Sequence, residues 1–394
     1  MNYNRFLNSR IAAVPPSGIR RFFDLAATMS DTISLGVGEP DFKTPYPIRS
    51  AAIDSLLDGE TQYTANRGLP GLREEIALYM AGRYNLSYNP SDEILVTIGA
   101  SEAIDLALRA IVEAGDEVLV PEPSYVSYSP GVIFAGGVPV GVVTLEKDDF
   151  RLKPEHLEKS ITSRTKVLIL PYPNNPTGAI MERSDLEAIA EVIRKHDLFV
   201  ISDEIYSELM YDGLTHTSFA SVPGMYERTL TINGFSKSFA MTGWRVGYAC
   251  GASEIIGLMN KIHQYAIMCA PRQGQVAAMT ALRTGRENSY EEVVRMRDSY
   301  DRRRRLMVNA FREMGLHCFE PFGAFYAFPS VRSTGMSSEE FCEKLLHEKK
   351  VAAVPGTAFG PSGEGNIRCC YATSLDKLNI ALERMADFVH VHQK

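Results

Sequence analysis

From about residue 93 to 251, short apolar runs alternate with helical patterns, and that alternation leaves this chain few architectures. Glu93-Ile94-Leu95-Val96-Thr97 reads as a strand, and Gly99-Ala100-Ser101 opens a helix whose apolar positions Ile104, Leu108 and Ile111 recur at near-helical spacing. Residues 117–120, 166–170 and 198–202 continue the series as strands. The spacing Ser184-Asp185-Leu186-Glu187 predicts a capping box that starts a helix running to about His196. Near-continuous apolar strands separated by helices predict a mostly parallel α/β sheet with helices on both faces. Ligands of such sheets gather at the carboxyl ends of the strands. The texture changes after residue 275. Long helical stretches and the strand-like runs Phe325-Tyr326-Ala327-Phe328 and Asn366-Ile367-Arg368 predict a smaller α+β domain. The basic run Arg302-Arg303-Arg304-Arg305 reads as a solvated helix face. The expected division is 1–44 as an N-terminal arm and part of the small domain, 45–280 as the large domain, and 281–394 as the C-terminal small domain.

A chain of 394 residues can bury a large core without covalent staples. Its 41 basic and 48 acidic residues, a net charge of −7, argue against a broad nucleic-acid-binding face. No apolar run reaches the length of a spanning helix, and Met1-Asn2-Tyr3-Asn4-Arg5 lacks a signal-peptide layout. The expectation is a cytoplasmic protein with no membrane or nucleic-acid partner. The six cysteines show no C-x-x-C or other metal-like spacing, so reduced, mostly buried thiols and no metal are expected.

Two familiar ligand motifs fail. Gly36-Val37-Gly38 has Asp41 where a dinucleotide fingerprint needs its third glycine, and no G-x-x-x-x-G-K-[ST] occurs. Polar residues cluster at strand ends instead. Gly234-Phe235-Ser236-Lys237 follows the strand-like Thr229-Leu230-Thr231-Ile232, and Gly243-Trp244-Arg245-Val246-Gly247 comes soon after. Upstream, Ser202-Asp203-Glu204-Ile205-Tyr206 and Pro173-Asn174-Asn175-Pro176-Thr177-Gly178 close two further strands.

These segments resemble class I/II pyridoxal-phosphate-dependent aminotransferases, which have the aspartate-aminotransferase fold (pyridoxal-phosphate fold type I). The likeness covers nearly the whole chain, from Ser34-Leu35-Gly36-Val37-Gly38-Glu39-Pro40-Asp41 to Gly365-Asn366-Ile367-Arg368, and residues 234–247 fit the lysine-attachment signature without a gap. The resemblance implies a transaminase that moves an amino group from an L-amino acid to a 2-oxo acid by a ping-pong route through a Lys237 Schiff base. The freed Lys237 amine would then shuttle a proton at the substrate Cα. Asp203 would face the pyridine nitrogen, Tyr206 would bond the cofactor O3′, and Tyr125 would stack on the ring. Gly99, Ala100 and Ser101 would offer a helix N-terminus to the phosphate, with Ser236 and Arg245 adding a hydroxyl and a bidentate charge. Where the family often has a hydroxyl residue three before the lysine, this chain has Gly234, so Ser236 or Ser238 would substitute. Tyr63 matches a tyrosine that reaches the phosphate from the neighbouring subunit, implying a homodimer with shared active sites. Arg368 and Asn175 would hold the substrate α-carboxylate, and Gly38 would let the backbone approach. Taken singly, each position has a bland alternative: a surface lysine, a capping aspartate, packed core tyrosines, a turn-forming asparagine.

The side chain accepted is left open by these residues. Aspartate, aromatic and related donors all fit, with 2-oxoglutarate as the acceptor implied by the family. Gln264 stands near the position where one dicarboxylate-specific branch has an arginine, and Arg20, Arg67 and Arg272 are candidate substitutes. The N-terminal and lysine segments are most similar to prokaryotic aromatic-type and aspartate-type members and to relatives acting on acylated diaminopimelate. The rival activity on the same fold is a carbon–sulfur β-lyase. A pyridoxal-binding DNA regulator would need an additional helix-turn-helix segment.

Overall fold

The apolar runs form one seven-stranded sheet: β1 (Ile94–Thr97), β2 (Glu117–Glu122), β3 (Val138–Val143), β4 (Thr165–Leu170), β5 (Phe199–Asp203), β6 (Thr229–Gly234) and β7 (Gly247–Cys250). The order across the sheet is β1-β7-β6-β5-β4-β2-β3, and only β7 runs against its neighbours. This is a computed structural model of the chain, and it describes residues 1, 3–16, 18–19 and 29–393.

Strand side chains alternate between two cores, as the period of two requires. Val118, Val120, Val167, Ile169 and Ile201 pack with Ala103, Ala107, Leu108 and Met259 from helices Gly99–Ile111 and Ser253–Ala266. Leu119, Leu168, Leu170 and Val200 turn the other way, onto Leu186, Ile189 and Ile193 of helix Arg183–Lys195. The sheet is therefore covered on both faces, which is what lets its strands be apolar throughout.

The predicted capping box is displaced. Helix Arg183–Lys195 starts one residue before Ser184, and the Glu182 amide donates to Asp185 at 3.1 Å. Arg151 bridges Glu182 and Asp185 at 2.8 Å each, fixing the helix start from another part of the chain, while Glu187 pairs with Arg183 at 2.9 Å.

A second layer forms from helices Glu291–Glu313, Ser338–Lys349 and Leu375–His392 around a three-stranded antiparallel sheet, in which Ile367–Cys370 lies between Val354–Pro355 and Tyr326–Ala327. Ile33–Ser34 joins this part through parallel pairing with Val351–Ala352, and the Leu35 carbonyl accepts from Cys370 N at 2.7 Å. That pairing carries Gly36–Gly38 to the strand holding Arg368. The arginine run is only half a solvated face. Arg302 and Arg305 are exposed, but Arg303 and Arg304 are buried, because acids from distant segments reach them: Asp41 for Arg303, and Asp212 and Glu320 for Arg304, which also pairs with Asp301 on its own helix. No helix among the described residues is long and apolar enough to cross a membrane.

Candidate active site

The strand ends open onto a cavity of about 570 Å³. Each wall comes from a turn just past a strand: Ala100 and Ser101 after β1, Tyr125 after β2, Asn175 after β4, Asp203 and Tyr206 at and after β5, and Ser236, Lys237 and Arg245 after β6. Gly38 and Arg368 enter from the second layer. The structure thus brings together every site residue expected from the sequence except Gly99 and Tyr63. Gly99 opens the helix just behind the wall. Tyr63 is 77% exposed and outside the cavity.

Lys237 donates from Nζ to the Gly38 carbonyl at 2.6 Å, with the Tyr206 and Phe325 rings 5.7 and 5.6 Å from the nitrogen. Desolvation pushes its ammonium down to about 8; Cys370 and Glu39 pull it up, while Arg368 and Arg245 depress it further. Such an amine is much closer to its nucleophilic form at neutral pH than a surface lysine. Asp203 is buried. Its carboxylate accepts from Tyr128 Oη at 2.7 Å and from Ile205 N at 3.2 Å, and burial pushes its pKa up against the pull of those bonds. A carboxylate in that position gains from a cationic N–H placed beside it. Tyr206 Oη lies 2.8 Å from Tyr326 Oη, and burial holds its phenol well above the ordinary value.

Arg368 is 2% exposed, yet it meets no carboxylate among the described residues. It donates to Asn175 Oδ1 at 2.9 Å and to the Gly36 carbonyl at 2.5 Å, and its Nε is buried without a partner. Arg245 is exposed, and among the described residues it reaches only the Thr242 and Ile98 carbonyls, at 3.2 and 3.5 Å. The cavity therefore holds three cations, Lys237, Arg245 and Arg368, with no described acid paired to any of them. Two of them flank different regions: Arg245 beside the Ala100–Ser101 helix start, Arg368 beside Asn175. The arrangement suits a ligand with two anionic groups and a reactive carbonyl between them. Pyridoxal phosphate with an amino-acid substrate has that form.

Gly234 faces Gly247 across the β6–β7 ladder, and a Cβ there would sit 2.9 Å from the Gly247 Cα. No hydroxyl-bearing residue fits at this position, while Ser236 lines the cavity and Ser238 does not. Tyr128, Tyr326, Thr242 and Glu39 were not singled out from sequence, yet all four line the cavity. Tyr128 opens a helix three residues after Tyr125, and their rings meet edge to face at 5.6 Å, so its closeness to Tyr125 in the chain is the signal that could have found it. Thr242 donates to Glu39 at 2.9 Å, a link across 203 positions that no local pattern carries. Of the candidate distal arginines, Arg67 donates to the Ser91 carbonyl at 3.2 Å and Arg272 pairs with Glu60 at 3.2 Å. Neither lines the cavity, nor does Gln264, and Arg20 lies outside the described residues. No group of His, Cys, Asp or Glu that could hold a metal occurs among the described residues.

The family model described as aminotransferase class I and II matches residues 30–385. The chain is 49% identical over 379 residues to an aspartate aminotransferase of Pyrococcus abyssi, covering 96% of this chain and 97% of that one. It is 45% identical, over 96% of this chain and 97% of the other, to aromatic-amino-acid aminotransferase 2 of Thermococcus litoralis. Among solved structures, the aspartate aminotransferase of Thermus thermophilus with maleate superposes with a TM-score of 0.92 at 40% identity, over 97% of this chain and 99% of that one.

Proposed function

Because this chain belongs to the class I and II aminotransferase family, we propose that it transfers the amino group of an L-amino acid to a 2-oxo acid, with pyridoxal phosphate as cofactor and Lys237 as its attachment point. The observation that carries this reading is the set of three cavity cations without an acid partner. Arg368, 2% exposed, is the buried member of the set, and burying unpaired charge is costly, so its place is expected only where a ligand anion completes it; half-buried Lys237 and exposed Arg245 line the same cavity.

Pyridoxal phosphate supplies, when bound, an aldehyde carbon and a ring that accepts electrons from the substrate Cα. Asp203 would hold a proton on the ring nitrogen, its carboxylate oriented by Tyr128. Ala100, Ser101, Ser236 and Arg245 would take the phosphate, at the helix start where the dipole favours an anion. Tyr125 would cover the ring and Tyr206 would donate to its hydroxyl oxygen. Arg368, oriented by Asn175, would take the α-carboxylate of the substrate. Lys237, once freed, would carry the proton between the substrate Cα and the cofactor, starting from its rest against the Gly38 carbonyl.

Tyr63 would contribute to the phosphate site of a second copy. Exposed Tyr63, Tyr265 and Met268 support that pairing: they lie on two segments tied by Asn66 Nδ2 to the Met268 carbonyl at 2.7 Å. The donor is proposed to be aspartate, an aromatic amino acid or a related one, and the acceptor 2-oxoglutarate. Six free cysteines suit a reducing, cytoplasmic setting.

The test is absorbance between roughly 320 and 450 nm, where the bound cofactor absorbs, before and after single amino acids are added without acceptor. Conversion to the amine form of the cofactor is expected, fastest with the physiological donor, and Lys237→Ala should lose both the lysine-linked band and turnover. Release of pyruvate and thiol from cystathionine without acceptor would favour the β-lyase. A protein that binds no pyridoxal phosphate would refute the reading.

A further inference from the structure

We propose that Tyr326 is a positioning residue for this reaction, its hydroxyl completing the hydrogen bonding of Tyr206 while its ring face supports Arg368. The inference rests on the transaminase reading above. Tyr326 is 1% exposed and touches three separately identified parts of the site. Its Oη lies 2.8 Å from Tyr206 Oη, and the Arg368 guanidinium sits over its ring at 4.5 Å from the centroid. A Cβ on Gly38 would stand 2.3 Å from the same hydroxyl, so the backbone whose carbonyl holds Lys237 passes directly beside it.

The fold explains why one side chain can do this. Tyr326 pairs with Cys370 across the antiparallel ladder, and Arg368, two residues from Cys370, shares its face of the strand. That diagonal is within reach of long and aromatic side chains. A cation over a tyrosine face is attracted by the ring quadrupole, the more so when desolvated, as it is here.

Each phenol has one proton. In the free protein either hydroxyl can donate to the other. Once Tyr206 donates its proton to the ring oxygen of the bound cofactor, its own oxygen is an acceptor, and Tyr326 is the donor in place to fill it. Polarised in this way, Tyr206 becomes the stronger donor, because linked hydrogen bonds reinforce one another. A stronger donor from Tyr206 would lower the pH at which the cofactor held by Lys237 loses its proton. The pH midpoint of the visible cofactor band reports that proton. Asp203, Glu39, Cys370, Arg245 and Arg368 also act on this region. All are unchanged by Tyr326→Phe, which keeps the ring and removes one oxygen.

The experiment compares wild-type holoenzyme with Tyr326→Phe and Tyr326→Leu. In Tyr326→Phe the midpoint should rise by about 0.5–1 pH unit, the equivalent of one ordinary hydrogen bond. Its kcat should fall about 3- to 10-fold with KM for the donor nearly unchanged. Tyr326→Leu should show the same midpoint shift and, having lost the ring under Arg368, a KM raised a further 2- to 5-fold or so. A structural role alone would lower thermal stability and leave the midpoint in place. A wild-type band whose midpoint does not move in Tyr326→Phe overturns this inference and leaves the transaminase reading standing. A wild-type protein that shows no such band overturns both.

Discussion

Arg368 and Arg304 are buried to almost the same degree, at 2% and 1% exposure, yet their surroundings are opposites. Arg304 lies in helix Glu291–Glu313 and is ringed by acids: Asp212 at 2.8 Å, Asp301 at 2.7 Å and Glu320 at 2.6 Å. Those acids hold its guanidinium above its ordinary value against the pull of burial. Arg368 has an amide, a carbonyl and two aromatic faces, Tyr326 and Phe359, but no described carboxylate. A buried cation with internal counter-charges is part of the fold. One without them is a site that an outside anion completes.

Matched substitutions to methionine, which replace a guanidinium by an apolar chain, sharpen the contrast. Arg368→Met should lose about 2–5 kcal/mol of transition-state binding, roughly 30- to 5,000-fold in kcat/KM for every donor, because each carries the same α-carboxylate. The cofactor-free protein should lose no thermal stability, since an uncompensated buried charge is removed. A fall in thermal midpoint with unchanged kcat/KM would reverse the assignment. Arg304→Met should do the opposite, destabilising the protein by about 3 kcal/mol as its acids lose their partner, with KM for donors unchanged. Urea denaturation checks it, and a variant as stable as wild type would mean that the acids there are independently solvated.

The two arginines also mark what the sequence could tell. Arg368 was legible because a strand-like run ending the chain's family signature pointed to it, and Lys237, Arg245, Asp203 and Asn175 were legible as polar residues following apolar strands. Arg304 was misread as part of a solvated face because two of its three partners lie 92 and 16 residues away, at Asp212 and Glu320, where no helical periodicity reaches. Tyr326 was visible only as part of a strand. Its place in the site depends on ladder register with Cys370, which local sequence does not specify. β7 was missed for a related reason: its four residues, Gly247–Cys250, run against six parallel strands and follow β6 with no α-helix between the two, so they fall outside the alternation.

Lys237 offers the finest test of the same contrast, in the cofactor-free protein. Its pKa falls from an ordinary 10.5 to about 8 on folding, chiefly by desolvation. Between those values the unfolded chain holds a proton that the folded chain has released, so stability rises with pH across this window; below about 8 both states are protonated and the full penalty is felt. Lys237→Met carries no such proton. The variant should therefore be more stable than wild type by about 1–2 kcal/mol near neutral pH, and the gap should close towards roughly pH 10. Arg304 stays charged throughout, so Arg304→Met should keep a constant deficit over the same range. Denaturant midpoints measured in parallel at several pH values decide it. A gap between wild type and Lys237→Met that stays level with pH would show that water already solvates the lysine, and that the cavity's cations carry no more strain than those of the helix.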